Sequence, residues 1–508
     1  MRWNKKYSFT GLEKMVHYKW EFVGRNSRIN LKKCYTLQKG VKMATVVSYG
    51  AAEVVTGSCH LLSIERGPNI MIDCGMFQGR EENRNYEPFG FDPREVDYLL
   101  VTHAHLDHVG RIPKLVKEGF VGSIYTTRAT RDLAEIILYD SAKIMKEDYL
   151  TRYKKAQRKG KEASVKAPLY GEEDVESALE QNWHYPEYDE AFVLEKDIEV
   201  IYHNAGHILG SAFIEIRYRE RGEPRTILFS GDLGNDNDMV LPHLESATHT
   251  DYLYVESTYG DRDHQGAEES LAEFKRILID TLHNWGNVVI PSFAVERTQE
   301  ILCILKEMHD RKELPQCQIF LDSPMATRAT EVYREYAGLL SKKCQAIKAQ
   351  DGTVFDFADL VYTIDVEASK KINEVKSRAI IIAGSGMCNG GRILHHFKNR
   401  LWNRKNAVIF VGYQAVGTLG RHIVDGARWV KIYHEDILIK ASVHTVNGFS
   451  AHADQRAIVK WISRMETPHV VYLIHGERDK QVILRSVLEN ALHQKVHIVE
   501  PEEVIYLS

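Results

Sequence analysis

The sequence predicts an α/β protein of two domains, one of them a parallel-sheet unit inserted into the other. Three observations carry this. From Met43 onward, short apolar runs rich in Val, Ile and Tyr alternate with helical stretches. Several of these runs stop at a His, Asp or Glu, or just before one, which is where α/β folds place their chemistry. After a long middle stretch of strand–helix repeats, His-bearing strand ends return near the end of the chain. A length of 508 residues argues for two domains or more, and 44% apolar with 27% charged residues is the balance of a globular protein with an ample core.

Taken in order, residues 1–42 stand apart, with eleven Lys or Arg against two Glu and no periodicity. They read either as a basic arm that touches nucleic acid or as an extension upstream of a true start at Met43, and they stay unassigned. Strands are predicted at 69–73, 98–103, 198–204, 212–218, 225–231 and 252–256, which makes 43–257 the first part of one domain. Between 140 and 171 lies a polar helix and loop whose segment 151–166 carries seven basic residues and one acid; a solvated surface helix is the ordinary reading. A second set of strands at 288–293, 319–322, 379–383 and 407–411, separated by helices such as 268–285 and 297–311, forms the inserted domain over 258–435. Residues 436–508 then complete the first domain.

Composition also excludes. No run approaches the roughly 18 to 20 apolar residues of a membrane span, and the first thirty residues lack the apolar stretch of a signal peptide. Seven scattered cysteines without a CxxC spacing speak against a disulfide framework, so a reduced, cytoplasmic protein is expected. The net charge of −4 gives no global pull towards nucleic acid; a polyanion would have to meet a local patch.

The densest chemical signal is Thr102-His103-Ala104-His105-Leu106-Asp107-His108. Four potential ligands within six residues, directly after an apolar run, make poor core unless paired or metal-bound. The spacing is not that of HExxH, where two His lie one helical turn apart. On a strand end or tight loop it splays the side chains into two groups, His103 and His105 towards one ion, Asp107 and His108 towards a second. Zinc usually takes about four ligands, so others are needed. His207 lies between glycines in Ala205-Gly206-His207-Ile208-Leu209-Gly210, Asp232 follows an apolar strand in Ser230-Gly231-Asp232, and His475 ends a strand before Gly476. Alone, each reads more readily as a satisfied polar residue; beside the first cluster, each reads as a ligand.

These segments, together with Asp73, resemble the motifs of the metallo-β-lactamase superfamily, in that family's order. Later segments resemble its β-CASP group. Glu256 in Val255-Glu256-Ser257-Thr258-Tyr259-Gly260, His452 in Phe449-Ser450-Ala451-His452-Ala453-Asp454 and His475 in Ile474-His475-Gly476-Glu477 stand where that group has motifs A, B and C. The resemblance spans almost the whole chain after Met43 and implies an αβ/βα sandwich with an inserted β-CASP domain. It implies two Zn2+ per chain, with His103, His105 and His207 on the first, Asp107, His108 and His475 on the second, and Asp232 bridging both. Asp73 would hold ligands in place through hydrogen bonds. A His at motif C implies RNA rather than DNA as substrate, hence a ribonuclease that works endonucleolytically, 5′-to-3′ exonucleolytically or both.

Two close cations lower the pKa of a bridging water and neutralise charge developing on phosphorus. The expectation is attack by a hydroxide between two zincs, oriented by Asp107, with His452 protonating the leaving oxygen and Glu256 orienting and charging His452. RNA contacts are expected at Ser450, whose ordinary alternative is a helix N-cap, and at Ser385 and Gly386 in a glycine-rich turn. Arg297 is a further candidate, its alternative being an ion pair with a neighbouring helix. The glycine-rich turn lacks the Lys-Ser/Thr of a P-loop. His395 and His396, about 100° apart on a helix, are read as structural, and Cys59 and Cys74 are not read as ligands. Manganese or iron would also suit such ligands. The expected partner is an RNA strand, with no membrane and with a homodimer left open. The rival readings are a DNA nuclease, a small-molecule hydrolase of the same superfamily and a non-enzymatic RNA-binding subunit. The last is disfavoured because every expected ligand type is present, the second because it leaves the inserted region unexplained.

Overall fold

The computed structural model describes residues 43–507 except 162–163, 236–238, 265, 413, 415–416, 447 and 449. The basic segment 1–42, Cys34 within it and Phe449 of motif B lie outside the described residues. Two sheets of seven strands face each other. In the first the spatial order is Val504–Tyr506, Thr45–Gly50, Cys59–Ser63, Asn69–Ile72, Tyr98–Leu100, Ser123–Tyr125 and Trp183–His184. In the second it is Val496–Ile498, Val470–Ile474, Tyr252–Glu256, Glu223–Phe229, Ala212–Glu220, Ile198–Asn204 and Phe192–Glu195.

Side chains alternate across a strand, so one set from each sheet is free to meet the other. Val46, Leu62, Ile70 and Leu100 of the first sheet pack with Val200, Ile214, Ile227 and Tyr254 of the second in one buried layer. The opposite sets meet helices. Leu133, Ala134 and Leu138 of the helix Arg128–Gln157 join Met71, Leu99 and Ile124 of the first sheet. Ile458 and Trp461 of Gln455–Ile462, with Leu484 of Arg478–Leu492, join Phe213, Leu253 and Leu473 of the second. The result is the αβ/βα layering expected from the sequence. The final strands serve both layers: Val504–Tyr506 pairs with Thr45–Gly50, and Val470–Ile474 runs parallel to Tyr252–Glu256 with Ile474 opposite Glu256.

The third sheet has six strands, all parallel, in the order Leu360–Tyr362, Gln318–Asp322, Ala379–Ala383, Val288–Pro291, Ala407–Phe410 and Ser442–Thr445. Its inner strands VVIP, AIIIA and AVIF are buried throughout, as strands covered on both faces require. The strand Ser442–Thr445 lies past the boundary expected at 435, yet it is the parallel partner of Ala407–Phe410, so the chain leaves this sheet only after Thr445.

Some strands are shorter than expected, for a reason that matters to the chemistry. The run expected at 98–103 ends at Leu100; Val101 N still bonds Tyr125 O of the neighbouring strand at 2.9 Å, and it is at Thr102 that the backbone finds partners outside the ladder. Thr102 N donates to Asp73 Oδ1 at 2.8 Å, and Thr102 O accepts from Ala212 N at 2.8 Å. His103 therefore leaves the ladder, fully buried. Among the described residues no helix is long and apolar enough to cross a membrane.

Candidate metal centre

After His103 and Ala104 the chain makes one helical turn, Leu106–Val109, with His105 as its N-cap residue. This turn carries Asp107 and His108, and it is locked onto the loop after Asn69–Ile72 by Cys74 N to His108 O at 2.8 Å and Met76 N to Leu106 O at 2.9 Å. The fit leaves no room for a side chain on Gly75, whose added Cβ would lie 1.5 Å from Asp107 O. Asp73 and His475 both sit in the left-handed backbone region, at φ 60° and 48°. That conformation costs about 1 kcal/mol or more per non-glycine residue and persists only where the surroundings impose it.

The fold gathers the expected ligands into two groups. His105 Nδ1 lies 3.1 Å from His103 Nε2 and 3.1 Å from His207 Nε2. Asp232 Oδ2 lies 3.3 Å from His103 Nε2 and 3.4 Å from His207 Nε2. A tetrahedron with metal–nitrogen bonds of ~2.0 to 2.1 Å has edges of ~3.3 Å; four of the six edges among these atoms match that spacing, and all four atoms lie within 4.8 Å of one another. In the second group, His475 Nε2 lies 3.3 Å from His108 Nε2 and 3.6 Å from Asp107 Oδ2. Asp232 turns its other oxygen this way, with Oδ1 3.3 Å from His108 Nε2 and 3.5 Å from His475 Nδ1. That Oδ1 is buried and accepts no hydrogen bond.

The second ring nitrogens of four of the five imidazoles are held. His108 Nδ1 meets Asp73 Oδ2 at 2.7 Å, His103 Nδ1 meets Thr102 Oγ1 at 3.1 Å, and His207 Nδ1 donates to Ala451 O at 3.1 Å. His475 Nδ1 lies 3.1 Å from Thr258 Oγ1. Such partners fix which nitrogen keeps its lone pair for a cation. Electrostatics agrees. Burial drives His103 down to about 3 and His105 to about 4, and lowers His207 well below the ordinary imidazole range, so all three are neutral at pH 7. Burial opposes the charges of Asp107 and Asp232, yet His475 and His108 outweigh it and hold both carboxylates below their ordinary range. Neutral imidazoles at His103, His105 and His207 beside ionised carboxylates suit a divalent cation. His108 differs: burial disfavours its charge, but Asp232 and Asp73 outweigh that and hold it well above the ordinary imidazole range, so a cation there would have to displace its proton.

Beside these groups stands His452. Its ring centroid is 4.6 Å from that of His207, and its Nδ1 is 3.3 Å from Glu256 Oε1. Glu256 is fully buried and also accepts from Leu233 N at 2.8 Å, so its orientation is fixed. The His452 side chain keeps 23% of its surface, whereas those of His103, His108, His207 and His475 keep 4% or less, which leaves it open to a substrate. Burial disfavours its charge, but Glu256 and Asp232 outweigh that and raise it to about 9.

The expected RNA contacts divide. Ser450 is two residues from His452 and within reach of the Tyr259 hydroxyl. It is not the N-cap of the following helix; Asp454 caps Gln455–Ile462 by accepting from Ala457 N at 2.8 Å, while 450–453 is pinned to the other sheet by Ala453 N to Leu233 O at 2.7 Å. Arg297 opens the helix Arg297–Asp310, is buried, and pairs with Glu300 of its own helix rather than with a neighbouring one. Ser385 and Gly386 follow the strand Ala379–Ala383, Gly386 against Phe293 and Ser385 Oγ 3.4 Å from Gly390 O, with no described hydrogen bond to the imidazole groups. His396 is structural, as expected, its Nε2 2.6 Å from buried Asp322. Sequence reasoning missed Thr102, Thr258, the carbonyl of Ala451 and His264, whose Nε2 lies 3.0 Å from His452 O. Thr102 and Thr258 abut the motifs and could have been suspected; a backbone carbonyl leaves no mark in a sequence. Asp189, His203 and Glu245 form another cluster, but both His203 nitrogens are already paired with carboxylates, at 2.6 Å to Asp189 and 3.4 Å to Glu215.

Sequence profiles of three families match the chain: the Metallo-beta-lactamase superfamily over residues 52–282, the Beta-Casp domain over 298–423, and the Zn-dependent metallo-hydrolase RNA specificity domain over 436–499. Ribonuclease TTHA0252 of Thermus thermophilus is 44% identical, over 87% of this chain and 95% of its own. An RNase J-like protein of Methanocaldococcus jannaschii is 31% identical, over 86% and 93%. The transcription termination factor FttA of Methanosarcina mazei is 29% identical, over 91% and 71%. A solved structure of a protein of unknown function from Enterococcus faecalis V583 shares the fold, with a TM-score of 0.53 at 15% identity over 92% of this chain and all of that one.

Proposed function

The chain belongs to the metallo-β-lactamase superfamily, in its β-CASP branch, and from that premise we propose that it is a ribonuclease hydrolysing RNA phosphodiester bonds with two zinc ions per chain. The observation that carries the reading is Asp232, one oxygen towards each ligand group. His103, His105 and His207 would hold one ion, Asp107, His108 and His475 the other, and Asp73 would steady His108. Such a pair, when bound, makes water a stronger nucleophile and neutralises charge on phosphate.

The remaining steps belong to the chain's own residues. Asp107, ionised and part-exposed, accepts a hydrogen bond from the attacking water and orients it. His452, charged at pH 7 and tied at Nδ1 to Glu256, delivers the Nε2 proton to the leaving oxygen. Ser450, Ser385 and Gly386 would border the path proposed for the strand, and Arg297, buried and paired with Glu300, would act on it only through its charge. The same reading makes 43–257 and 436–508 the catalytic sandwich and 258–435 the insertion, with the strand Ser442–Thr445 added to the latter. Six buried free thiols suit a reducing, cytoplasmic setting, and light scattering decides between monomer and homodimer.

The test is end-labelled RNA incubated with wild type and with His452→Ala, alongside matched DNA and thioester substrates. The variant is expected to keep its zinc by mass spectrometry and to lose about two to four orders of magnitude in cleavage. Product lengths separate internal from 5′-end cutting. Zinc lost together with activity would remove His452 from the acid role, and cleavage of the thioester alone would overturn the ribonuclease reading.

A further inference from the structure

The strands of the parallel sheet all point one way, so the sheet has two chemically distinct ends. Their C-terminal ends lead towards Arg297, Ser385 and Ser450, already described. Their N-terminal ends open ~13 to 16 Å away, for strands of four to five residues at ~3.3 Å each. There the turns 284–287 and 403–406 are fitted together. Asn287 N bonds Asn406 Oδ1 at 2.9 Å, Ala407 N bonds Asn287 O at 3.0 Å, and a Cβ on Gly286 would lie 1.9 Å from Lys405 O. With the last turns of the helix Ala267–His283 and the edge strand Ser442–Thr445, they border a cavity of about 480 Å3 whose lining includes Arg276, Asp280, Arg404, Lys405, Ser442 and His444.

Three cations face one carboxylate here, and that carboxylate, Asp280, is engaged by Arg276 at 3.3 Å. Arg404 and Lys405 have no ion-pair partner among the described residues. Two aromatic residues flank them in sequence. Trp285 follows the lining residue Asn284, Trp402 precedes Arg404 by two residues, and each keeps 56% of its surface exposed. Leaving a tryptophan exposed forgoes burial worth ~2 kcal/mol or more. Trp285 is moreover held at φ 58°, a conformation that bulky residues adopt only when constrained, by Gly286 N to Thr281 O at 2.9 Å, with Arg378 stacked on its ring at 3.8 Å.

We propose that this end of the parallel sheet is a second site for single-stranded RNA, in which Arg276, Arg404 and Lys405 hold phosphates and Trp285 and Trp402 stack bases. Cationic grooves with aromatic platforms bind single strands whatever their sequence. The choice of RNA rests on the ribonuclease reading; the binding chemistry does not. A strand anchored here and cut at the centre spans the sheet, so the site favours long substrates over short ones.

Binding is read by fluorescence anisotropy of a labelled RNA of about 30 nucleotides, several times a typical single-strand site, on an Asp107→Ala background so that it is not cut. Adding Arg404→Glu and Lys405→Glu is expected to weaken binding about tenfold or more and to lower the slope of log affinity against log salt by about 1.4, for two phosphate contacts at ~0.7 each. Trp402→Ala is expected to weaken it about fivefold or more. In the otherwise intact enzyme the charge reversals should raise KM for the long RNA and leave cleavage of a dinucleotide, too short to span the sheet, unchanged. Equal loss on both lengths, or on neither, overturns the proposal. So does unchanged RNA binding with an altered mass by light scattering, which would assign the surface to a second copy. If wild type cuts no RNA but anisotropy still depends on Arg404 and Lys405, the site stands and the ribonuclease reading falls; cutting without that dependence gives the reverse.

Discussion

Around Asp232 the rings of His103, His108, His207 and His475 are buried, and each nitrogen turned away from the centre is already bonded to a threonine, a carboxylate or a carbonyl. At the far end of the parallel sheet the cations are exposed, and nothing described holds the heads of Arg404 and Lys405. The first region spends its hydrogen bonds before any ligand arrives; the second leaves them to be made on arrival. Donors fixed in advance favour chemistry, because a reacting group meets charges that need no rearrangement. Mobile long-chain cations favour holding, because they adapt to a strand whose bases vary.

The comparison breaks most sharply at Asp232. Asp232→Ala removes the carboxylate facing both groups, so zinc counted by mass spectrometry should fall at both sites. RNA cleavage should drop by at least about a thousandfold, the scale of the several kcal/mol that metal ions contribute. Full metal with full activity would show that the groups do not depend on it.

Glu256→Gln acts one step further out. The wild-type His452 is raised to about 9 against its burial by Glu256 and Asp232. An acid that must carry its proton loses rate as pH rises through its pKa, so kcat/KM should decline on the alkaline side near 9, or lower once cations draw on Asp232. In the variant this decline should move towards the free imidazole value of ~6.5, with cleavage at pH 8 down by about tenfold or more. A pH profile that does not move separates Glu256 from the acid.

Asp73→Asn keeps every ligand but loosens His108; chelator competition should show metal affinity about 10- to 100-fold weaker, with kcat recovered at saturating zinc. The smallest effect on chemistry belongs to Asp322→Asn in the parallel sheet. Asp322 meets Thr363 and His396 at 2.6 Å and Ser369 and Arg392 at 2.7 Å, all inside the insertion. Its loss should cost about 3 to 5 kcal/mol in urea unfolding, with zinc content untouched.

Those four residues also mark what the sequence disclosed. The segment from His103 to His108 is legible because its ligands are neighbours in the chain, and Asp232, His207 and His475 become legible beside it. The layering followed from where apolar runs ended. What stayed hidden was long-range bonding. The withdrawal of Thr102 from its ladder depends on Asp73 and Ala212, twenty-nine residues behind and well ahead of it. Asp454 rather than Ser450 caps its helix because Leu233 of the other segment holds Ala453. The strand Ser442–Thr445 is too short and too polar to be assigned to either domain until its partner is known.

His475 and the strand before it come from the closing stretch of the chain, and so does Val504–Tyr506, which seals the edge beside Thr45–Gly50. A polypeptide still emerging from the ribosome holds His103 to His108, His207 and Asp232 but not the imidazole that completes their company. His108 and His475 stand 367 residues apart, so the second group closes only after segments that distant in the chain have met.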